Sequence, residues 1–176
     1  MHRLDINAEM IKTAKLKVPN ARFRIADMTN FRLKEKFDVI MCLFSAIGYV
    51  QSFRKLVITL RNFNNHLADE GLVLVEPWIF RKDFREGTVS IDVCENENEK
   101  IVRMDSSKLT KSHWLMYFHY LIGINNRIKY VKEMHRMILA DCEDYVQAFN
   151  LAGYRKVEFL GKTDWVRPRG VFVAMK

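Results

Sequence analysis

The sequence predicts an α/β fold: a mostly parallel sheet flanked by helices, with an antiparallel sheet inserted into it. Three observations carry that expectation. In the first half, short apolar runs alternate with helical periods. From Thr88 to about Leu139 the helical period is lost, and extended runs between polar turns replace it. A capped helix and two further apolar runs then follow. The organisation expected is a single domain over residues 1–176, with an antiparallel accessory sheet over residues 88–139 inside it.

Each element has its own signal. Leu4-Asp5-Ile6 closes a first strand, 2–6, and Asn7 is placed to cap a helix over 8–17 that carries Met10, Ile11 and Ala14 on one face. Pro19-Asn20 breaks the chain before a second strand, 21–26, which ends at Asp27. Residues 37–44 are almost continuously apolar, as a strand covered on both faces should be. Phe53, Leu56, Val57, Leu60, Phe63 and Leu67 recur at spacings of three and four, predicting an amphipathic helix over 52–67. Asp69-Glu70-Gly71 reads as a turn into a fourth strand, 72–76.

In the middle segment Val89, Ile91 and Val93 alternate with polar residues, and Glu95-Asn96-Glu97-Asn98 makes a hairpin loop before a strand at 101–104. His113 to Ile122 is a long aromatic strand, turned by residues 123–126 into a partner over 128–139. Asp141 then caps a helix through Ala152 and Gly153 ends it. Residues 157–160 and 170–175 form a closing strand pair.

The composition narrows the function. At 176 residues, 49% hydrophobic and 28% charged, the chain has the balance of a soluble globular domain with a real core. No apolar run approaches the roughly 18 residues of a membrane helix, and no signal peptide opens the chain. Cys42, Cys94 and Cys142 are far apart and form no CxxC pair, which argues against a disulfide framework or a metal site and for a reducing cytoplasm. The net charge of +8 comes from scattered lysines and arginines rather than one compact block, so nucleic acid is not the expected partner. GxSxG, HExxH and phosphate-loop patterns are all missing.

Three acids, Asp5, Asp27 and Glu76, fall where strands should end. Ligands of open α/β sheets bind beyond the carboxyl ends of strands, so these acids are expected to converge. The stretch Leu43 to Tyr49 is oddly apolar for a loop and is expected to line a pocket at the same sheet edge. His119 and His135 lie on the accessory strands with Tyr117 and Tyr130 nearby, and an imidazole can act as a base near neutral pH. His2 and His66 are expected to be inert.

The segments LDINAEMIKTAK, PNARFRIADMTNF, FDVIMCLFSAIGYV, NHLADEGLVLVEPWIF, YVKEMHRMIL and the AF..AGY helix, taken together, resemble the class I S-adenosylmethionine-dependent methyltransferases. The likeness is to their small-molecule branch, which includes the amino-sugar N-methyltransferases. It implies a Rossmann-like sheet and S-adenosylmethionine as the cofactor, with a small-molecule amine or hydroxyl as the acceptor. By the same likeness Asp5, with Ile6 beside it, binds the ribose; Asp27 and Met28 contact the adenine; and Leu43, Phe44 and Ser45 line the methionine portion. Tyr49, Trp78, Tyr117, His119 and His135 fall on the acceptor side, with His119 or His135 as the base.

The sequence departs from that pattern in one respect: the family's first strand and its ExGxGxG loop have no counterpart, and the chain begins at the family's second strand. The glycines of such a loop let the backbone approach the ligand. Three arrangements would answer this departure: a longer enzyme of which this is a piece, a second copy that completes the sheet as a homodimer, or direct pairing of the two strands flanking the gap, giving a domain that binds the cofactor weakly or not at all. Lacking half of that cradle, the chain is expected to be catalytically impaired. The alternative to an enzyme is a methyltransferase-like binding or dimerisation module.

Overall fold

The computed structural model describes residues 1–161 and 169–176. In chain order the first elements are β1 (His2–Asp5), α1 (Ala8–Lys17), β2 (Arg22–Ile25), β3 (Phe37–Cys42), α2 (Phe53–His66) and β4 (Leu67–Val75). The accessory strands follow: β5 (Val89–Glu95), β6 (Glu99–Leu109), β7 (His113–Ile124) and β8 (Arg127–Ile138). Then come α3 (Cys142–Leu151), β9 (Lys156–Leu160) and β10 (Val171–Met175). No helix among the described residues is long and apolar enough to cross a membrane.

The strands form three sheets. β1 and β2 are a parallel pair with Asp5 opposite Ile25. The second sheet runs β3-β4-β10-β9; β3 and β4 are parallel, and β10 lies antiparallel to both its neighbours. The third is an antiparallel meander, β5-β6-β7-β8. Its long hairpins arise because β-branched and aromatic residues alternate with polar ones through the segment, which suits a sheet with two unlike faces.

The helices follow their caps and apolar stripes. Asn7 Oδ1 accepts from the Glu9 and Met10 N–H groups at 2.9 and 3.1 Å, and Ser52 Oγ accepts from Lys55 N–H at 3.2 Å. The Asp144 carboxylate reaches back to the Asp141 N–H at 2.8 Å. Leu56, Leu60 and Phe63 of α2 and Tyr145, Ala148 and Phe149 of α3 pack on Val73, Val75, Phe172 and Ala174 of the β4–β10 pair. That contact is the main core. A smaller cluster, Trp114, Met116 and Met137 with Trp78 and Phe84 against it, ties the meander to the body.

The structure departs from three sequence expectations. Asp69-Glu70-Gly71 does not precede β4 but lies inside it, as a bulge with Glu70 at φ 62°; the register moves from Phe37↔Leu67 to Val39↔Leu72. β6 runs to Leu109 rather than stopping at Met104, because its polar tail is paired along its whole length with β7. β3 is covered on one face only: Cys42 is buried, but Val39 is 48% and Met41 59% exposed.

No ladder joins β1 to β3, so the direct pairing of these strands does not occur. They meet at their starts, where the His2 ring lies edge-on to Phe37 at 5.4 Å.

One glycine is fixed by its surroundings. Gly170 sits at φ 74°, and a Cβ there would come within 2.5 Å of Phe159 Cζ and 2.6 Å of the Leu160 carbonyl oxygen. Gly170→Ala is expected to lower stability by about 2 kcal/mol, from the left-handed backbone and the backbone clash together. A urea titration against the parent chain checks this, and an unchanged midpoint would refute it.

Candidate functional site

The candidate site is assembled from the ends of β1, β2 and β3. At the end of β1, Asp5 Oδ1 accepts from Asn7 N–H at 2.7 Å, which turns the chain into α1. Its other carboxylate oxygen has no partner among the described residues, and Ile6 beside it is 70% exposed. At the end of β2, Asp27 Oδ1 accepts from Thr29 N–H at 2.8 Å. The next residue is tied down by α2: Asn62 Nδ2 donates to the Met28 carbonyl at 3.2 Å.

The end of β3 is the most constrained part. Phe44 and Ser45 both take left-handed backbone conformations, at φ 55° and 57°. Such conformations persist in non-glycine residues only when the surroundings hold them. Here Glu76, buried at the end of β4, accepts the Phe44 N–H at 2.7 Å, and Ser45 Oγ donates to the Pro77 carbonyl at 2.7 Å. Glu76 was expected to face a ligand with the other strand-end acids; it is instead a buried anchor of this turn. The turn throws Phe44 outward, 68% exposed, and buries Ser45. Beneath it, burial pushes the Cys42 thiol up to about 12, so that sulfur stays protonated and inert.

The 3-10 turn Ala46–Val50 follows and carries Tyr49 to the meander. Tyr49 is 45% exposed, and its hydroxyl lies 2.6 Å from His135 Nδ1. His135 Nε2 lies 3.4 Å from Glu133 Oε2, and the Phe118 ring stands edge-on to the imidazole at 4.9 Å. Partial burial, and after it the nearby Glu133 and Tyr120, raise the Tyr49 phenol above its ordinary value, so it remains protonated. On the other side of the turn, Arg169 donates to Ser45 Oγ at 3.1 Å, and its guanidinium lies 4.4 Å from the centre of the Trp78 ring. Trp78 in turn packs edge-on against Trp114 at 5.8 Å.

The structure thus brings Leu43, Phe44, Ser45, Tyr49, Trp78 and His135 into one neighbourhood. It does not bring His119 and Tyr117 there. Successive side chains on a strand point to opposite faces. Phe118 shares the His135 face, whereas His119 bonds Tyr130 at 2.6 Å and Tyr117 lies under Lys132 on the other face. Of the two histidines expected as bases, only His135 is near the loop.

Sequence reasoning missed Glu133, Phe118 and Arg169. Glu133 carried a signal, because it is two residues from His135 on one strand; Phe118, opposite Glu133 in the ladder, is placed only by the register. Arg169, 124 positions from Ser45, carried none.

His66 is buried and occupied, accepting Leu33 N–H at Nε2 and bonded to the Asn62 carbonyl at Nδ1. Surface depressions lie under the Asn96–Glu99 hairpin and around Arg24 and Arg32–Glu35. Neither includes a strand-end acid.

Residues 1–71 match a family model described as a methyltransferase domain. Over 173 residues the chain is 30% identical to dTDP-3-amino-3,4,6-trideoxy-alpha-D-glucopyranose N,N-dimethyltransferase of Streptomyces venezuelae, covering 98% of this chain and 72% of that protein. It is 32% identical over 158 residues to dTDP-3-amino-3,6-dideoxy-alpha-D-glucopyranose N,N-dimethyltransferase of Streptomyces fradiae, covering 89% of this chain and 62% of that one. Among solved structures it is similar to Streptomyces venezuelae DesVI, with TM-score 0.89 and 29% identity over 98% of this chain and 72% of the other. It is similar also to the sugar N-methyltransferase KedS8 from Streptoalloteichus, with TM-score 0.91 and 27% identity over 99% and 70% of the two chains.

Proposed function

The chain belongs to the class I S-adenosylmethionine-dependent methyltransferases, and from that premise we propose that it methylates the amine of a nucleotide-linked amino sugar. The observation that carries the proposal is the left-handed turn at Phe44–Ser45, after which the chain carries Tyr49 to His135; the carboxylate of Asp5 at the end of β1 supports it separately. Asp5, with an oxygen still unpartnered beside exposed Ile6, has the chemistry for two ribose hydroxyls against an apolar ring. Asp27 and Met28, held by α2, suit the adenine. Leu43 and Phe44 suit the methionine portion, on a turn that Glu76 and the buried Ser45 keep rigid.

When bound there, S-adenosylmethionine supplies an electrophilic methyl group on a sulfonium. The work of this chain's own residues is to hold an amine in line with that group, within reacting distance, and to keep water out. Trp78 and Tyr49 wall the acceptor side. We read residues 1–176 as one domain with 88–139 inserted, working in the reducing cytoplasm, where three free cysteines are ordinary. The unladdered edges of β1 and β3 support a homodimer in which a second copy completes the sheet. Nucleic acid forms no part of the proposal.

The test is calorimetric titration of the 176-residue chain with S-adenosylhomocysteine, followed by transfer of labelled methyl to dTDP-linked 3-amino-3,6-dideoxyglucose. Micromolar binding and mass gains of one and then two methyl groups are expected. No binding up to millimolar ligand, with no methyl incorporated, would overturn the proposal for this chain.

A further inference from the structure

The donor and acceptor inventory around His135 has a definite direction. A carboxylate can only accept, so the 3.4 Å contact with Glu133 requires a proton on Nε2. A neutral imidazole then has a bare Nδ1, which must accept from the Tyr49 hydroxyl at 2.6 Å. The phenol oxygen keeps a lone pair, on a residue that is 45% exposed. The remaining charged and titratable groups facing His135 come from the other strands of its sheet. These are Tyr120 on β7 and, on β6, Arg103 and Asp105, which form a pair at 3.6 Å beneath Phe118. Arg103 is also paired with Asp92 on β5, so the cation is held by its own carboxylates rather than presented to the imidazole.

We propose that Tyr49, His135 and Glu133 form a proton relay that deprotonates the acceptor ammonium, with Tyr49 as the residue that touches the substrate and Glu133 as a positioning residue that fixes the imidazole tautomer. The inference rests on the reading of the chain as an amine methyltransferase. An amino sugar is mostly an ammonium ion at neutral pH and has no lone pair to offer.

In the relay, one ammonium proton moves to the Tyr49 oxygen while the phenolic proton moves to His135 Nδ1. The charge passes from the ammonium to an imidazolium whose Nε2–H faces the Glu133 carboxylate. The freed nitrogen lone pair forms the bond to the methyl carbon as the carbon–sulfur bond breaks, and that bond's electron pair stays on sulfur. The imidazolium then returns its extra proton to water. The product amine carries a positive charge again, so a second methylation uses the same relay a second time. The phenol suits this role because it stays protonated at rest and so always has a proton to pass to Nδ1.

Two measurements test the relay. The first uses the folded chain alone, with ¹⁵N-labelled histidine. The Nε2–H tautomer is expected at His135, with Nδ1 showing the shift of an unprotonated acceptor, and Glu133→Gln is expected to give a tautomer mixture because an amide can donate as well as accept. An Nδ1–H tautomer in the parent chain would overturn the relay.

The second follows methyl transfer to dTDP-linked 3-amino-3,6-dideoxyglucose against pH. Tyr49→Phe is expected to lower kcat about 100-fold at neutral pH with little change in KM. The deficit should shrink about tenfold per pH unit as the amine loses its proton unaided. Parent activity with an unchanged Tyr49→Phe profile would overturn the relay and leave the methyltransferase reading standing. No transfer by the parent chain, with the expected tautomer present, would overturn that reading and the relay with it.

Discussion

Replacing Phe172 with alanine is expected to destabilise the protein by about 4 kcal/mol, the cost of removing a large aromatic side chain from a core that cannot collapse around the gap. Phe172 has no exposed surface and stands in the central strand of the main sheet, opposite Val75 on one side and Phe159 on the other. Its ring meets Phe159 at 4.6 Å, Tyr145 at 5.1 Å, Phe149 at 5.7 Å and Phe80 at 6.5 Å. Those partners come from β9, from two positions on α3 and from the segment after β4, so no single local shift can refill the space. Guanidinium denaturation followed by circular dichroism measures the loss. A change below about 1 kcal/mol would mean that this ring cluster is not the centre of the core.

Removing the Asp5 carboxylate is expected to weaken S-adenosylhomocysteine binding by about 10- to 100-fold. That range follows from hydrogen bonds to a charged acceptor contributing roughly 1.5–3 kcal/mol, with each 1.4 kcal/mol a factor of ten. Asp5→Ala also loses the acceptor for Asn7 N–H and disturbs the start of α1. Asp5→Asn is therefore the cleaner variant, because its amide oxygen can still accept that bond while the charge is gone. Calorimetry on both variants separates the two effects. Unchanged affinity in Asp5→Asn would remove the carboxylate's charge from the cofactor site.

How far this could be seen in the sequence depended on whether local pattern or distant contact decided the matter. α2 was legible because its apolar stripe has a single period and Ser52 caps it, and β10 because five apolar residues follow a glycine. The true start of β4 was not, since Asp69-Glu70-Gly71 has turn chemistry and only its pairing with Phe37 and Val39 turns it into a bulge. The polar end of β6 was missed for the same reason, its strand character coming from β7 rather than from its own residues.

At the site, Asp5 and Asp27 were readable as strand-end acids, and their positions follow from β1 and β2 alone. Glu76 was misjudged because its partner, the Phe44 N–H, is offered only by a left-handed turn that no sequence pattern announces. His119 and His135 looked equivalent until the register set them on opposite faces, which strand alternation decides only once the ladder is known.

The topology also sets an order of events as the chain folds. Every pairing in the β5-β6-β7-β8 meander joins neighbours in sequence, so its hairpins can close in microseconds. The main sheet is different: β10 must find β4, with Met175 opposite Leu72, across a loop of about 100 residues that contains the whole meander. Seating β10 is therefore the slow, non-local step, and until it happens Val73 and Val75 are paired with β3 alone. The meander, though peripheral to the core, shortens that search by drawing a long stretch of chain into a compact unit before the ends meet.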